Sequence, residues 1–163
     1  MRLLLIRHAK SDWADPGRPD HERPLNGRGR RDAPRMGAWI AERGLAPDEV
    51  FCSDALRTRQ TLDLMLPLWP APPRLAHLRT LYHAEPEAML GVLAGATGKT
   101  VALVGHNPGV GTLAGDLARE APHHPRWDDF PTCAVAAFDL DAEGWADVRR
   151  GAVLAFAIPA DLP

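Results

Sequence analysis

The 163-residue chain predicts one α/β domain built on a mostly parallel sheet. Three observations carry that expectation. Leu3-Leu4-Leu5-Ile6 and Val101-Ala102-Leu103-Val104 are unbroken apolar runs, the pattern of strands buried on both faces. Strand-like runs alternate with segments of helical spacing through residue 118, and a β-rich tail follows. No internal repeat, low-complexity tract or domain boundary interrupts the order, so residues 1–163 read as a single domain.

In chain order, residues 2–7 form the first strand, and residues 10–26 form a polar loop rich in proline and aspartate. Connectors of that length in compact domains are often functional. Asn26 is placed to cap a helix over 27–43, with Ala33, Met36, Ile40 and Ala41 on one face and Gly44 as its stop. Val50-Phe51-Cys52 is a short strand. Ser53 or Asp54 then caps a helix over 55–66, with Leu56, Leu62 and Met65 inward. A proline-rich turn leads to a strand at Leu75–Leu78, a helix over 86–94 and the strand at 100–104. Asn107-Pro108 opens a helix over 107–118, with proline in the tolerated first turn. Ala134–Leu140 and Trp145–Arg150 predict a hairpin around Asp141-Ala142-Glu143-Gly144, and Val153–Ile158 a last strand.

Composition bounds the function. The apolar share is 45% and the charged share 25%, both ordinary for a globular domain. A net charge of −2 gives no overall attraction to nucleic acid or to an anionic membrane. No apolar run reaches the roughly 20 residues of a membrane span. Arg7-His8 cuts the first run too early for a signal peptide, so a cytoplasmic protein is expected. In that reducing compartment Cys52 and Cys133 read as two buried thiols rather than a disulfide.

Chemistry concentrates where strands end. Arg7-His8 follows the first strand. A histidine ring nitrogen can act as a nucleophile, and a neighbouring arginine offers a fork of donors to phosphate oxygens. Ser53-Asp54-Ala55-Leu56-Arg57-Thr58-Arg59-Gln60-Thr61 follows the second strand, with Arg57 and Thr61 sharing a helix face and Arg59 pointing elsewhere. Gly105-His106-Asn107-Pro108-Gly109 follows the strand at 100–104, with glycines that let backbone approach a ligand. In open α/β sheets the carboxyl ends of strands are where ligands bind. Taken singly, each cluster also fits an ordinary strand end or a capped helix.

The ordered set resembles the histidine phosphatase (phosphoglycerate mutase-like) superfamily. The fuller strings Leu5-Ile6-Arg7-His8-Ala9-Lys10-Ser11-Asp12-Trp13, Asp20-His21-Glu22-Arg23-Pro24-Leu25-Asn26 and His106-Asn107-Pro108-Gly109 resemble its SixA-type phosphohistidine phosphatase branch. So do Pro131-Thr132 and Ile158-Pro159 in the tail. The resemblance spans nearly the whole chain. It implies a three-layer sandwich, with helices on both faces of a mostly parallel sheet. It also implies a metal-independent phosphatase without cofactor, and the composition and lack of targeting signals suit a bacterial protein. His8 would form a phosphohistidine, and Arg7, Arg57 and His106 would surround the phosphoryl oxygens. Arg23 and Ser11 become substrate contacts, and Asn107 either contacts the site or caps the next helix. The general acid is open: Glu85 and Asp20 are the candidates, and a branch acting on P–N bonds tolerates a weak acid or none. The implied substrate is phosphohistidine on a protein. The alternatives are a broad-specificity phosphomonoesterase acting on small phosphorylated metabolites and a non-catalytic phosphate-binding module. His77, His83, His123 and His124 read as surface or loop residues. The basic run Gly27–Arg31 reads as a solvated helix start that widens the field drawing an anion. The tryptophans read as packing residues, except Trp13, which is placed to line the pocket mouth.

Overall fold

The computed structural model describes residues 1–163. Six strands form one sheet: β1 (Arg2–Arg7), β2 (Glu49–Ser53), β3 (Arg74–Leu78), β4 (Thr100–Gly105), β5 (Val135–Asp139) and β6 (Ala152–Ala157). Their spatial order is β3-β2-β4-β1-β5-β6. The first four run parallel, and β5 and β6 are antiparallel additions at one edge.

Both faces of the sheet are covered, as the unbroken apolar runs require. Leu4 and Ile6 of β1 pack with Ala102 and Val104 of β4 beneath α1 (Gly27–Glu42) and α2 (Leu56–Met65), against Met36, Ile40, Leu62 and Met65. Leu3, Leu5, Val101 and Leu103 face the other way. They meet Met89 and Leu93 of α3 (Pro86–Leu93) and Val110 and Leu113 of α4 (Gly109–Leu117). The result is the three-layer sandwich expected. Cys52 and Cys133 are free, buried thiols in the first of these layers, and burial pushes both thiols up, away from ionisation. No helix is long and apolar enough to cross a membrane.

Local signals set several boundaries. The Asn26 side chain accepts the Gly29 N–H at 2.9 Å and starts α1. Gly44, at φ 62°, ends it in the left-handed region that glycine occupies without strain. Other expectations need correction. Neither Ser53 nor Asp54 caps α2. Its N-cap is Ala55, with no side-chain cap bond; the Ser53 hydroxyl pairs with His106 and the Asp54 carboxylate with His21. The helix after β4 begins at Gly109 rather than at residue 107. Trp145–Arg150 is not a strand: Trp145–Asp147 is one short 3-10 turn. The Trp145 ring is buried, and its Nε1–H donates to the Gly98 carbonyl at 2.8 Å. β6 therefore supplies the antiparallel partner of β5, across a long connection rather than a tight hairpin.

Candidate active site

Strand register assembles the site. Arg7 of β1 lies opposite Gly105 of β4, so the next residues, His8 and His106, emerge side by side. The His8 N–H extends the ladder to the Gly105 carbonyl at 3.1 Å, and the two rings stand 5.2 Å apart. On the other neighbour, the Cys133 N–H donates to the His8 carbonyl at 3.0 Å, so backbone grips the His8 segment from both sides.

The hydrogen bonds decide the state of each imidazole. His8 Nδ1 is 2.7 Å from the Ala9 carbonyl. A carbonyl only accepts, so Nδ1 carries the proton and Nε2 is left with a free lone pair. Burial first, then the charges of Arg57, Arg7 and Arg23, push the His8 pKa down to about 3 against the backbone bond, so the ring is neutral near neutral pH. His106 Nδ1 is 3.3 Å from Arg57 Nη2, which can only donate. Nε2 therefore holds the proton and donates to Ser53 Oγ at 2.8 Å. Burial, with His8 and Arg57 nearby, pushes His106 down to about 2.

Three arginines surround these rings. Arg57 is 1% exposed and reaches Asp20, donating from Nη1 to its carbonyl at 2.7 Å and from Nη2 to its carboxylate at 3.0 Å. Arg7 donates from Nη1 to the Phe130 carbonyl at 3.0 Å. The Nε–H groups of Arg7 and Arg57 are both buried without a partner. Buried donors left unpaired are costly, so this cluster is short of acceptors beside a free imidazole nitrogen. Arg23 is buried and donates to Ser11 Oγ at 2.8 Å and to Asp20 Oδ1 at 3.0 Å, with its guanidinium 3.5 Å from the centre of the Trp13 ring.

The candidate residues from the sequence thus converge, with exceptions. Ser11 holds Arg23 and is itself buried. Asn107 caps and clamps: Oδ1 accepts the Gly111 N–H, and Nδ2 donates to the carbonyls of Asp129 and Phe130. Glu85 is the exposed N-cap residue of α3 and makes no side-chain cap bond. Asp20 lies at the site but is not fit to donate a proton. Tyr82 at 2.5 Å, His83 at 3.1 Å, Arg57 and Arg23 all donate to its carboxylate, and these partners hold it well below the usual carboxylate range against its partial burial. Arg28 and Arg31 of the basic run line a separate cleft of about 400 Å³ with Arg35, Arg126, Pro131 and Thr132.

Besides Ser53, three residues to which the sequence assigns no site role join the cluster. Thr61 Oγ accepts the Ala9 N–H at 2.9 Å and donates to the Arg57 carbonyl at 2.7 Å, tying the loop after His8 to the helix that carries Arg57. Its place in Ser53-x-x-x-Arg57-x-x-x-Thr61 was the available signal. Tyr82 and His83 do not sit apart on a surface loop. The His83 ring is 5.0 Å and the Tyr82 ring 5.5 Å from that of His106. No spacing rule links them to residues so distant in the chain. The remaining tryptophans at 39, 69, 127 and 145 are buried packing residues, whereas Trp13 is 69% exposed over Arg23.

Comparison with known proteins identifies the family. Residues 3–79 match the model of the histidine phosphatase superfamily, branch 1. An uncharacterised protein of Mycobacterium tuberculosis is 38% identical over 94% of this chain and 99% of its own. A crystal structure from Agrobacterium tumefaciens, named as a candidate phosphohistidine phosphatase SixA, superposes with a TM-score of 0.83 at 31% identity over 97% of each chain. A second, from Nakamurella multipartita (named the same way), gives 0.79 at 28% identity over 97% of this chain and 95% of its own. With Arg7-His8, Arg57 and His106 gathered at the carboxyl ends of parallel strands, the chain belongs to the histidine phosphatase superfamily, in its SixA-type branch, and it is a phosphatase.

Proposed function

We propose that the chain hydrolyses phosphohistidine on a protein, through a phosphohistidine intermediate at His8 and without a metal. One observation carries the nucleophile: the Nδ1–H of His8 is spent on the Ala9 carbonyl in a ring held neutral, which leaves Nε2 as a lone pair in the site. In the first step Nε2 attacks phosphorus in line, the P–Nε2 bond forms, and the bond to the leaving nitrogen breaks. In the second, water attacks phosphorus, the P–Nε2 bond breaks, and phosphate departs with His8 restored. Charge spreads over the three equatorial oxygens during both steps. Arg7 and Arg57 bring guanidinium donors to that region, including the two unpartnered Nε–H groups, and Arg23 adds a third cation. Such fixed donors stabilise developing charge without reorganising. Side chains supply all of this positive charge, which supports metal independence. The preference for a P–N bond rests on the Agrobacterium neighbour, named as a candidate phosphohistidine phosphatase.

The test is hydrolysis of a phosphohistidine protein, p-nitrophenyl phosphate and a sugar phosphate, each with chelator present, by the wild type and His8→Ala. Turnover that survives chelation, favours the phosphohistidine protein and vanishes in His8→Ala is expected. Equal or faster turnover of the sugar phosphate would overturn the substrate assignment, and activity in His8→Ala would overturn the nucleophile.

A further inference from the structure

His83 differs from the other two imidazoles of the cluster. His8 and His106 are buried, and neither touches a carboxylate. His83 has half of its side chain exposed, and its Nε2 lies 3.1 Å from Asp20 Oδ2. Its Nδ1 makes no hydrogen bond to the protein. Its backbone sits at φ 51°, a left-handed conformation that a non-glycine residue adopts at a cost, and such strain gathers at functional sites. The turn is also braced from behind. Gly109 lets α4 press against it, because a Cβ there would lie 1.9 Å from the Ala84 carbonyl oxygen.

An in-line displacement puts the leaving atom on the side of phosphorus away from His8. His83 is the exposed member of the imidazole cluster. We propose that His83 is the proton donor to the leaving group, and that Asp20 is the residue that positions it. The inference rests on the phosphatase reading above and adds to it the acid that neither Glu85 nor Asp20 provides. A carboxylate bonded to one imidazole nitrogen fixes the ring so that the opposite nitrogen can exchange a proton. As the P–N bond of the substrate breaks, the leaving nitrogen's electron pair takes the proton from His83 Nδ1. In the second step the attacking water gives its proton back to the same nitrogen while its oxygen bonds to phosphorus. The enzyme returns to its starting protonation state. The groups facing His83 are Asp20 from the 3-10 turn Asp20–Glu22, Tyr82 beside it in the chain at 4.3 Å between rings, and His106 beyond β4. Arg57 of α2 reaches the same carboxylate, and Arg79 lies over Tyr82.

The experiment compares kcat/KM of wild type, His83→Asn and His83→Gly on p-nitrophenyl phosphate, whose leaving group needs little protonation, and on phenyl phosphate, whose leaving group needs more. Asparagine tolerates the left-handed backbone and glycine prefers it, so both variants keep the fold. The expected loss is under about 5-fold on the nitrophenyl ester and about 100-fold or more on the phenyl ester, in the range of a general acid. Free imidazole restores His83→Gly on the phenyl ester only. An equal loss on both esters without imidazole rescue, or no loss on either, overturns the assignment of His83. Failure of the parent reading looks different: wild type then leaves a phosphohistidine protein as well as both esters intact, or His8→Ala keeps its activity; turnover of the phosphohistidine protein with neither ester overturns His83 as an acid.

Discussion

Replacing Thr61 by valine tests whether the loop after His8, the proposed nucleophile, is held by one hydroxyl. Thr61 is fully buried, and its Oγ accepts from Ala9 and donates to the Arg57 carbonyl. Valine matches the shape and removes both bonds. The Arg57 carbonyl keeps its helical partner within α2. The Ala9 N–H, in a residue with no exposure, is left without an acceptor. An orphaned buried donor costs about 1–3 kcal/mol. For a domain of this size that lowers Tm by roughly 2–12 °C, at 2–4 °C per kcal/mol. Activity suffers separately, because the Ala9 carbonyl is what sets the tautomer and aim of His8. A displacement of a fraction of an ångström there costs about 10- to 100-fold in kcat, by the steep dependence of rate on alignment. Thr61→Ser keeps the hydroxyl and loses only a methyl, worth about 1 kcal/mol. Thermal denaturation and initial rates on p-nitrophenyl phosphate separate the two effects. Both variants lose stability, and only valine loses kcat. If valine keeps kcat within twofold of wild type, the hydroxyl does not position His8 and the argument is wrong.

Three further outcomes follow from the same geometry. His8 and His106 are held neutral, at about 3 and about 2, while an unfolded imidazole titrates near 6.5. Between those values the unfolded chain binds the extra protons, so stability falls with acid below about pH 6.5, by up to about 2.7 kcal/mol per pH unit for the pair. Asp20, depressed in the fold, pushes the same way below about pH 4. Urea midpoints from pH 8 to pH 5 measure this, and a flat profile contradicts the neutral assignments. Trp13→Ala removes the ring stacked on Arg23 at 3.5 Å. It raises KM about 2- to 5-fold, the worth of an exposed cation–π contact, and leaves Tm unchanged because Trp13 is mostly exposed. Gly109→Ala drives a Cβ into the Ala84 carbonyl and the Met89 side chain, at 1.9 and 2.8 Å. It destabilises by about 2 kcal/mol or more and displaces the turn carrying His83, seen as a lowered Tm and a selective loss on phenyl phosphate.

The sequence by itself determined the parts whose signal is local. Leu3–Ile6 and Val101–Val104 announce strands buried on both faces, since an unbroken apolar run satisfies two helical layers at once. Asn26 and Gly44 mark the ends of α1 through bonds and dihedrals that involve only neighbours in the chain. Arg7-His8 and Gly105-His106 show ionisable groups at strand ends, and their order in the chain was enough to point to the superfamily. The tertiary structure decided whatever depends on register and on the approach of distant segments. The pairing of Arg7 with Gly105 makes His8 and His106 neighbours. The state of Asp20 follows from donors at 23, 57, 82 and 83, which no local pattern connects. Strand propensity places Trp145 at the start of a strand, whereas in the fold its ring is buried in the core and bonded to Gly98, far away in the chain. His83 carries no motif at all. It joins the site because Gly109 permits a close approach of α4 to its turn, a steric fact that exists only once the helices are packed.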